Sequence, residues 1–193
     1  KAEFIWIGDG VSRINLKLKS IDGTEINGCG PVIHEGDVQK LIAKLELLQA
    51  GDVLVLAGSI PGSVPDDIYR RIMSEMSGRG IEVVVDATKE LLVNVLEYHP
   101  FLIKPNHHEL GGIFGVELKT REDVIPYARR MQQMGARNVL VSMAAAGAVL
   151  VAEDKSVYET DAPKGILVNG VGAGDSMVAG FLAGWMEKKE YRH

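Results

Sequence analysis

The residue types best suited to chemistry stand together in Asn169-Gly170-Val171-Gly172-Ala173-Gly174-Asp175-Ser176, immediately before an apolar run. Gly172, Ala173 and Gly174 allow consecutive backbone N–H groups to point at one spot. A helix N-terminus behind them makes that spot a site for negative charge. Asp175 would repel a resting phosphate there, yet it is well placed to take a proton from an alcohol attacking that phosphate. The plainer alternative is a glycine-rich turn with Asp175 as an ordinary helix-start residue. The stretch is no dinucleotide fingerprint, since it precedes the last helix, and no Walker loop, since Gly-Lys-Ser/Thr is absent.

Three further stretches carry polar or small residues. In Lys104-Pro105-Asn106-His107-His108-Glu109, Asn106 and Glu109 have the spacing of a capping box. The same pair at a strand's carboxyl end could organise water around Mg²⁺ and phosphate. His107 and His108 point about 100° apart on a helix, so they are read as non-ligands. Ser142-Met143-Ala144-Ala145-Ala146-Gly147 is either a tight turn between two strands or a small-residue wall with room for a flat or anionic ligand. Arg13 and Lys17 share one side of a strand and could hold a phosphate, or simply form a solvated edge.

The elements that must position these residues are legible from hydrophobic periodicity. Residues 3–7 and 13–19 alternate as strands, Asp22-Gly23 is a hairpin turn, and residues 24–26 form the return strand. Such a ribbon is marginal alone, so its apolar face must cover something. Beyond residue 31, helical stripes alternate with unbroken apolar runs at 53–56, 83–85, 101–103, 139–141 and 148–151. Pro65-Asp66-Asp67 is read as starting a helix, and Thr120 with Asp123 as capping another that Pro126 should kink or delay. The last helix carries Val178, Phe181, Leu182 and Trp185. The pattern predicts an α/β fold, a mostly parallel sheet with helices on both faces. Ligands of such sheets bind at the carboxyl ends of the strands, where Gly58-Ser59, Asp86, Lys104-Pro105-Asn106, Ser142 and the 170–175 loop all fall. The expected division is a ribbon over 1–30 and an α/β core over 31–193.

Composition excludes several classes. A net charge of −5 with no basic block argues against nucleic acid or an anionic membrane as main partner. No apolar run is long enough for a membrane helix, and residues 1–4 open without a leader pattern. Cys29 is the single cysteine, too few for a disulfide or a thiolate zinc cage, and it fits a cytoplasmic setting. Glycine is enriched: 22 in 193 residues, about 11% against a usual ~7%.

Taken in order, Ser12-Arg13-Ile14-Asn15-Leu16-Lys17, Leu56-Ala57-Gly58-Ser59-Ile60-Pro61, Lys104-Pro105-Asn106 with Glu109-Leu110, Val141-Ser142 through Gly147-Ala148, and Val171-Gly172-Ala173-Gly174-Asp175-Ser176 resemble the phosphofructokinase-B group of ribokinase-like sugar kinases. The resemblance implies ATP-dependent phosphorylation of a ketohexose phosphate, fructose 1-phosphate before tagatose 6-phosphate. It implies Asp175 as catalytic base, the amides of Gly172, Ala173 and Gly174 as anion hole, and Ser142, Met143, Ala144, Ala145, Ala146, Gly147 and Gly174 along the ATP site. Asn106 and Glu109 would place Mg²⁺ through water, and Arg13, Lys17 and Ser59 would face the sugar phosphate. Residues 1–30 would belong to a β lid that often pairs two subunits, which makes a homodimer the expected assembly. Two departures qualify this. The group's upstream segment, with its sugar-binding Asp, and its last helices have no counterpart, so the sequence reads as a piece of a longer enzyme. Ala144-Ala145-Ala146 also stands where many members have a Gly-Gly-Asp-like stretch, which implies altered ATP binding. A nucleotide-binding module without turnover is the alternative from another class.

Overall fold

The computed structural model describes residues 3–8, 10–17, 25–87, 89–166 and 170–192, with the side chains of Lys17, Glu25 and Lys89 left out. The Asp22-Gly23 turn, Thr24, Asn169 and the side chain of Lys17 therefore lie outside the described residues. Two short strands, β1 (Asn15–Lys17) and β2 (Glu25–Asn27), pair antiparallel with Leu16 opposite Ile26. The chain then alternates through α1 (Glu35–Leu45), β3 (Val53–Ala57), α2 (Ile68–Met76), β4 (Glu82–Asp86), α3 (Lys89–Val93), β5 (Leu102–Ile103), α4 (His107–Phe114), α5 (Arg121–Gln133), β6 (Asn138–Ser142), β7 (Ala148–Val151), β8 (Val157–Thr160) and α6 (Ala173–Lys188).

Strands β3 to β8 form one sheet in sequence order. β3 to β6 run parallel, and β7 and β8 then turn back antiparallel. The expected α/β class, with helices on both faces, is what is observed. Side chains alternate cleanly between the faces. Val83, Val85, Ile103, Val139, Val141, Val149 and Val151 meet α1, α2, α4 and α5, while Val84, Leu102, Leu140, Ala148 and Leu150 meet α6. On that second face the fully buried Phe101 is the anchor, with the Trp185 ring centroid at 4.4 Å and that of Phe181 at 6.2 Å. This packing fixes α6, and so aims its N-terminus at the carboxyl ends of the parallel strands.

Several local expectations need correction. Residues 3–7 form no strand, because their backbone finds no ladder partner among the described residues. Among the described residues the ribbon's apolar side chains stand largely open: Ile14, Leu16 and Ile26 are 74%, 50% and 57% exposed. Pro65 does not open α2. Two successive turns, closed by Val64 N–H to the Pro61 carbonyl and Ile68 N–H to the Pro65 carbonyl, come first. Pro126 neither delays nor ends α5, whose start is set by a complete Thr120–Asp123 capping box. Proline removes one amide, and the Glu122 carbonyl it would have met lies on an exposed residue where water can serve. Strand β8, half-exposed along its length, had no counterpart in the hydrophobic pattern.

Candidate active site

The parallel strands deliver their carboxyl ends to one edge, where Gly58-Ser59, Asp86, Lys104-Pro105-Asn106 and Ser142 fall. At the end of β3, Arg13 Nη1 donates to Ser59 Oγ at 2.7 Å, which ties the ribbon to the sheet. Tyr69 from α2 donates its hydroxyl to the Gly58 carbonyl at 3.0 Å. Burial pushes the Tyr69 hydroxyl up, and the nearby Asp86 charge adds to that.

One strand over, Asp86 ends β4 and meets Lys104 just beyond β5, with Oδ1 to Nζ at 3.2 Å. The Lys104 side chain is 8% exposed and that of Asp86 20%. Burial pushes the Asp86 carboxyl above the usual carboxylate range, the Lys104 ammonium opposes this, and the Asp175 charge adds to the rise. Gly174 explains itself here. A Cβ at that position would lie 3.1 Å from Lys104 Nζ and 3.8 Å from Asp86 Oδ2. The first turn of α6 thus rests directly on the ion pair, which brings Asp86, Lys104 and Asp175 into one electrostatic cluster. Sequence reading had placed Asp86 and Lys104 at strand ends without a role. The burial of a lysine, invisible in a sequence, is what marks them.

At the head of α6, Gly172 is the N-cap, with the left-handed φ of 77° that glycine tolerates. Ser176 N–H returns to the Gly172 carbonyl at 2.9 Å, and Ala173 N–H to that of Gly170 at 3.2 Å. The Ala173 amide is therefore engaged in a turn, and an anion there would have to draw it away from Gly170. Gly174 and the exposed Asp175 follow in the first turn, where N–H groups have no partner within the helix.

The Asn106–Glu109 capping box is fully formed. Asn106 Oδ1 accepts from Glu109 N–H at 2.8 Å, and Glu109 Oε2 accepts from Asn106 N–H at 2.8 Å. Each oxygen keeps a second lone pair, so the two residues fit Mg²⁺ through water and not as a cage. Among the described residues no group of three or more His, Cys, Asp or Glu is gathered for a metal. His107 and His108 do approach, their rings 3.9 Å apart, although simple helical geometry sends them apart.

Asn106 also bridges to Ser142 at the end of β6, whose N–H bonds the Pro105 carbonyl at 3.1 Å. From there Ala144–Ala146 makes one 3-10 turn into β7, so the tight-connection reading of this stretch describes its backbone. Met143 turns its side chain into the main core, while Ala144, Ala145 and Ala146 are exposed. Gly147, at φ 84°, lies so close to the 160–162 backbone that a Cβ would collide with the Thr160 carbonyl.

Comparison with known proteins gives the family. The family model for pfkB family carbohydrate kinases matches residues 6–193. The 1-phosphofructokinase of Bacillus subtilis (strain 168) is 49% identical over 175 residues, covering 91% of this chain and 57% of that protein. A D-tagatose-1-phosphate kinase of Bacillus licheniformis is 34% identical over 175 residues, covering 90% and 57%. The crystal structure of a Staphylococcus aureus protein described as a phosphofructokinase superposes with a TM-score of 0.79 at 38% identity, covering 87% of this chain and 55% of that one. The chain thus spans a little over half the length of the relatives it matches. With a family match across nearly all its residues and a half-identical relative aligned over most of them, the chain belongs to the pfkB family of carbohydrate kinases.

Proposed function

We propose that the chain serves ATP-dependent transfer of a phosphoryl group to a hydroxyl of a ketohexose 1-phosphate, with fructose 1-phosphate going to fructose 1,6-bisphosphate as the preferred reaction. Asp175 takes the proton from the attacking sugar hydroxyl. The amides of Gly172–Gly174 at the head of α6 and the Lys104 ammonium offset the charge that develops on the transferring phosphoryl. Asn106 and Glu109 hold the water shell of Mg²⁺, whose chemistry is to neutralise phosphate charge. Ser142 and the 143–147 turn serve the nucleotide, Arg13 and Ser59, already hydrogen-bonded to each other, bind the sugar phosphate, and Lys17 is the third residue proposed for that phosphate. The ribbon's exposed apolar face pairs two copies into a homodimer, and the setting is cytoplasmic.

The observation that carries this reading is the carboxylate of Asp175 in the first turn of a helix seated on a buried lysine. A carboxylate in that place is costly for resting phosphate binding and useful for proton removal. The 1-phosphate is chosen because both named relatives act on ketoses phosphorylated at C1, and tagatose 1-phosphate is the second acceptor to assay. The test is a coupled kinase assay on this chain and on one extended to the span of the Bacillus subtilis relative, with each sugar phosphate. Asp175→Asn is expected to lower kcat about 10²–10⁴-fold while ATP affinity stays within a few-fold. A variant that keeps most of its kcat would make Asp175 a helix-start residue only.

A further inference from the structure

Arg121 lies outside every motif discussed so far, yet its guanidinium joins three segments. Its Nε donates to the Ala146 carbonyl at 2.8 Å, at the last residue of the Ala144–Ala146 turn. One terminal nitrogen pairs with Asp161, and the other lies 3.6 Å from Glu159. Arg121 is also the first residue of α5, where a cation opposes the helix dipole. The two carboxylates and the carbonyl offset that cost locally. The turn it grips is not relaxed: Ala144 has a φ of 49°, a left-handed conformation unusual for alanine. At the turn's end, Gly147 sits against the Thr160 carbonyl with no room for a side chain. The turn thus packs against the 160–162 backbone at Gly147, and a planar guanidinium bonded to both ties the Ala146 carbonyl to the same segment at Asp161.

We infer that Arg121 is a positioning residue for the nucleotide side of the site, fixing the exposed Ala144–Ala146 turn in the shape that ATP meets. The inference rests on the kinase reading above. A guanidinium can bond a carbonyl and a carboxylate at once, whereas a lysine ammonium is a single point charge. The contacts are partly exposed, and such ion pairs add little to global stability. The effect should therefore appear in ligand affinity more than in melting.

The experiment is calorimetric titration of the full chain with ATP and Mg²⁺, alongside fructose 1-phosphate and a thermal melt. For Arg121→Ala, ATP affinity is expected to fall about three- to tenfold, with sugar-phosphate affinity unchanged and Tm lowered by no more than about 4 °C. Arg121→Lys should restore part of the ATP affinity. Unchanged ATP affinity in Arg121→Ala, or an equal loss for both ligands, overturns the inference and leaves Arg121 a stabilising contact. Should Arg121→Ala fail to fold, Asp161→Asn decides. It removes one arm of the clamp at a side chain that is 90% exposed and is expected to weaken ATP about twofold, no change being the overturning result. If the unaltered chain binds no ATP, the same titrations are made on the extended chain of the kinase assay; no ATP binding there ends the kinase reading and this inference with it, whereas binding by the parent and equal binding by the variants sinks this inference alone.

Discussion

Glu109 sits where two roles meet, since one of its carboxylate oxygens completes the α4 cap while the residue is also proposed to serve Mg²⁺. Glutamine can accept the same Asn106 N–H, so Glu109→Gln keeps the cap and removes the charge. Its stability is expected to stay within about 0.5 kcal/mol, while the Mg²⁺ concentration for half activity rises several-fold. An unaltered Mg²⁺ titration would reduce Glu109 to its structural role. The Lys104–Asp86 pair invites a different test. Lys104→Met leaves a largely buried carboxylate beside Asp175 without its cation, a change worth about 3 kcal/mol of stability. Asp86 holds its proton more tightly in the folded chain than its ordinary value of 3.8, and losing Lys104 strengthens that. Lowering pH through the raised value then protonates the folded state preferentially, so the deficit shrinks on acidification and is smallest below 3.8. A deficit independent of pH in urea melts would point to packing and not charge. Adding Asp86→Asn to Lys104→Met should recover most of the loss. At this scale the sequence showed Asp175, Asn106 and Glu109 because motif spacing marks them. Tyr69 and Arg121 had no such mark, since their partners are the Gly58 and Ala146 carbonyls, main-chain groups that any residue type carries.

Among the elements, β4, β6 and β7 were readable because each is buried on both faces, so three or four successive residues are apolar. Strand β8 fails that criterion: it closes the sheet edge, with Glu159 and Thr160 exposed, and a period cannot be read from so few residues. Helix α5 shows the opposite case, where a strong local signal is overridden. Pro126 is a helix breaker by itself, yet the Thr120–Asp123 box and the burial of Val124, Ala128 and Met131 hold the helix on both sides of it. Restoring the missing amide with Pro126→Ala is expected to stabilise the chain by about 1–3 kcal/mol. Denaturant unfolding measures this directly, and a destabilised variant would show that proline's rigidity in the unfolded chain outweighs the regained hydrogen bond.

For the whole molecule, the parallel strands bring Asp86, Lys104, Asn106 and Ser142 to one edge of the sheet, while a group of exposed apolar side chains lies around the ribbon and the free side of β3. Phe4 and Trp6 are 72% and 84% exposed, Ile14, Leu16 and Ile26 line the ribbon, and Val55 on β3 is 43% exposed. β3 has a neighbour only on its β4 side among the described residues, so its other edge offers unpaired backbone groups. Exposed apolar groups beside an open strand edge favour pairing with another surface of the same kind. The opposed pair Leu16 and Ile26 sits at the centre of the ribbon register, which makes it the place to interrupt such pairing without touching the core. The chain is expected to associate at micromolar concentration in light scattering or sedimentation, and Leu16→Glu combined with Ile26→Lys to shift it toward monomer. The α/β core should melt at nearly the same temperature in both forms, because neither side chain is buried in the single chain. Association that persists undiminished in the double variant would move the contact from the ribbon to the β3 edge, and a parent chain that stays monomeric throughout would remove the case for a ribbon-mediated dimer.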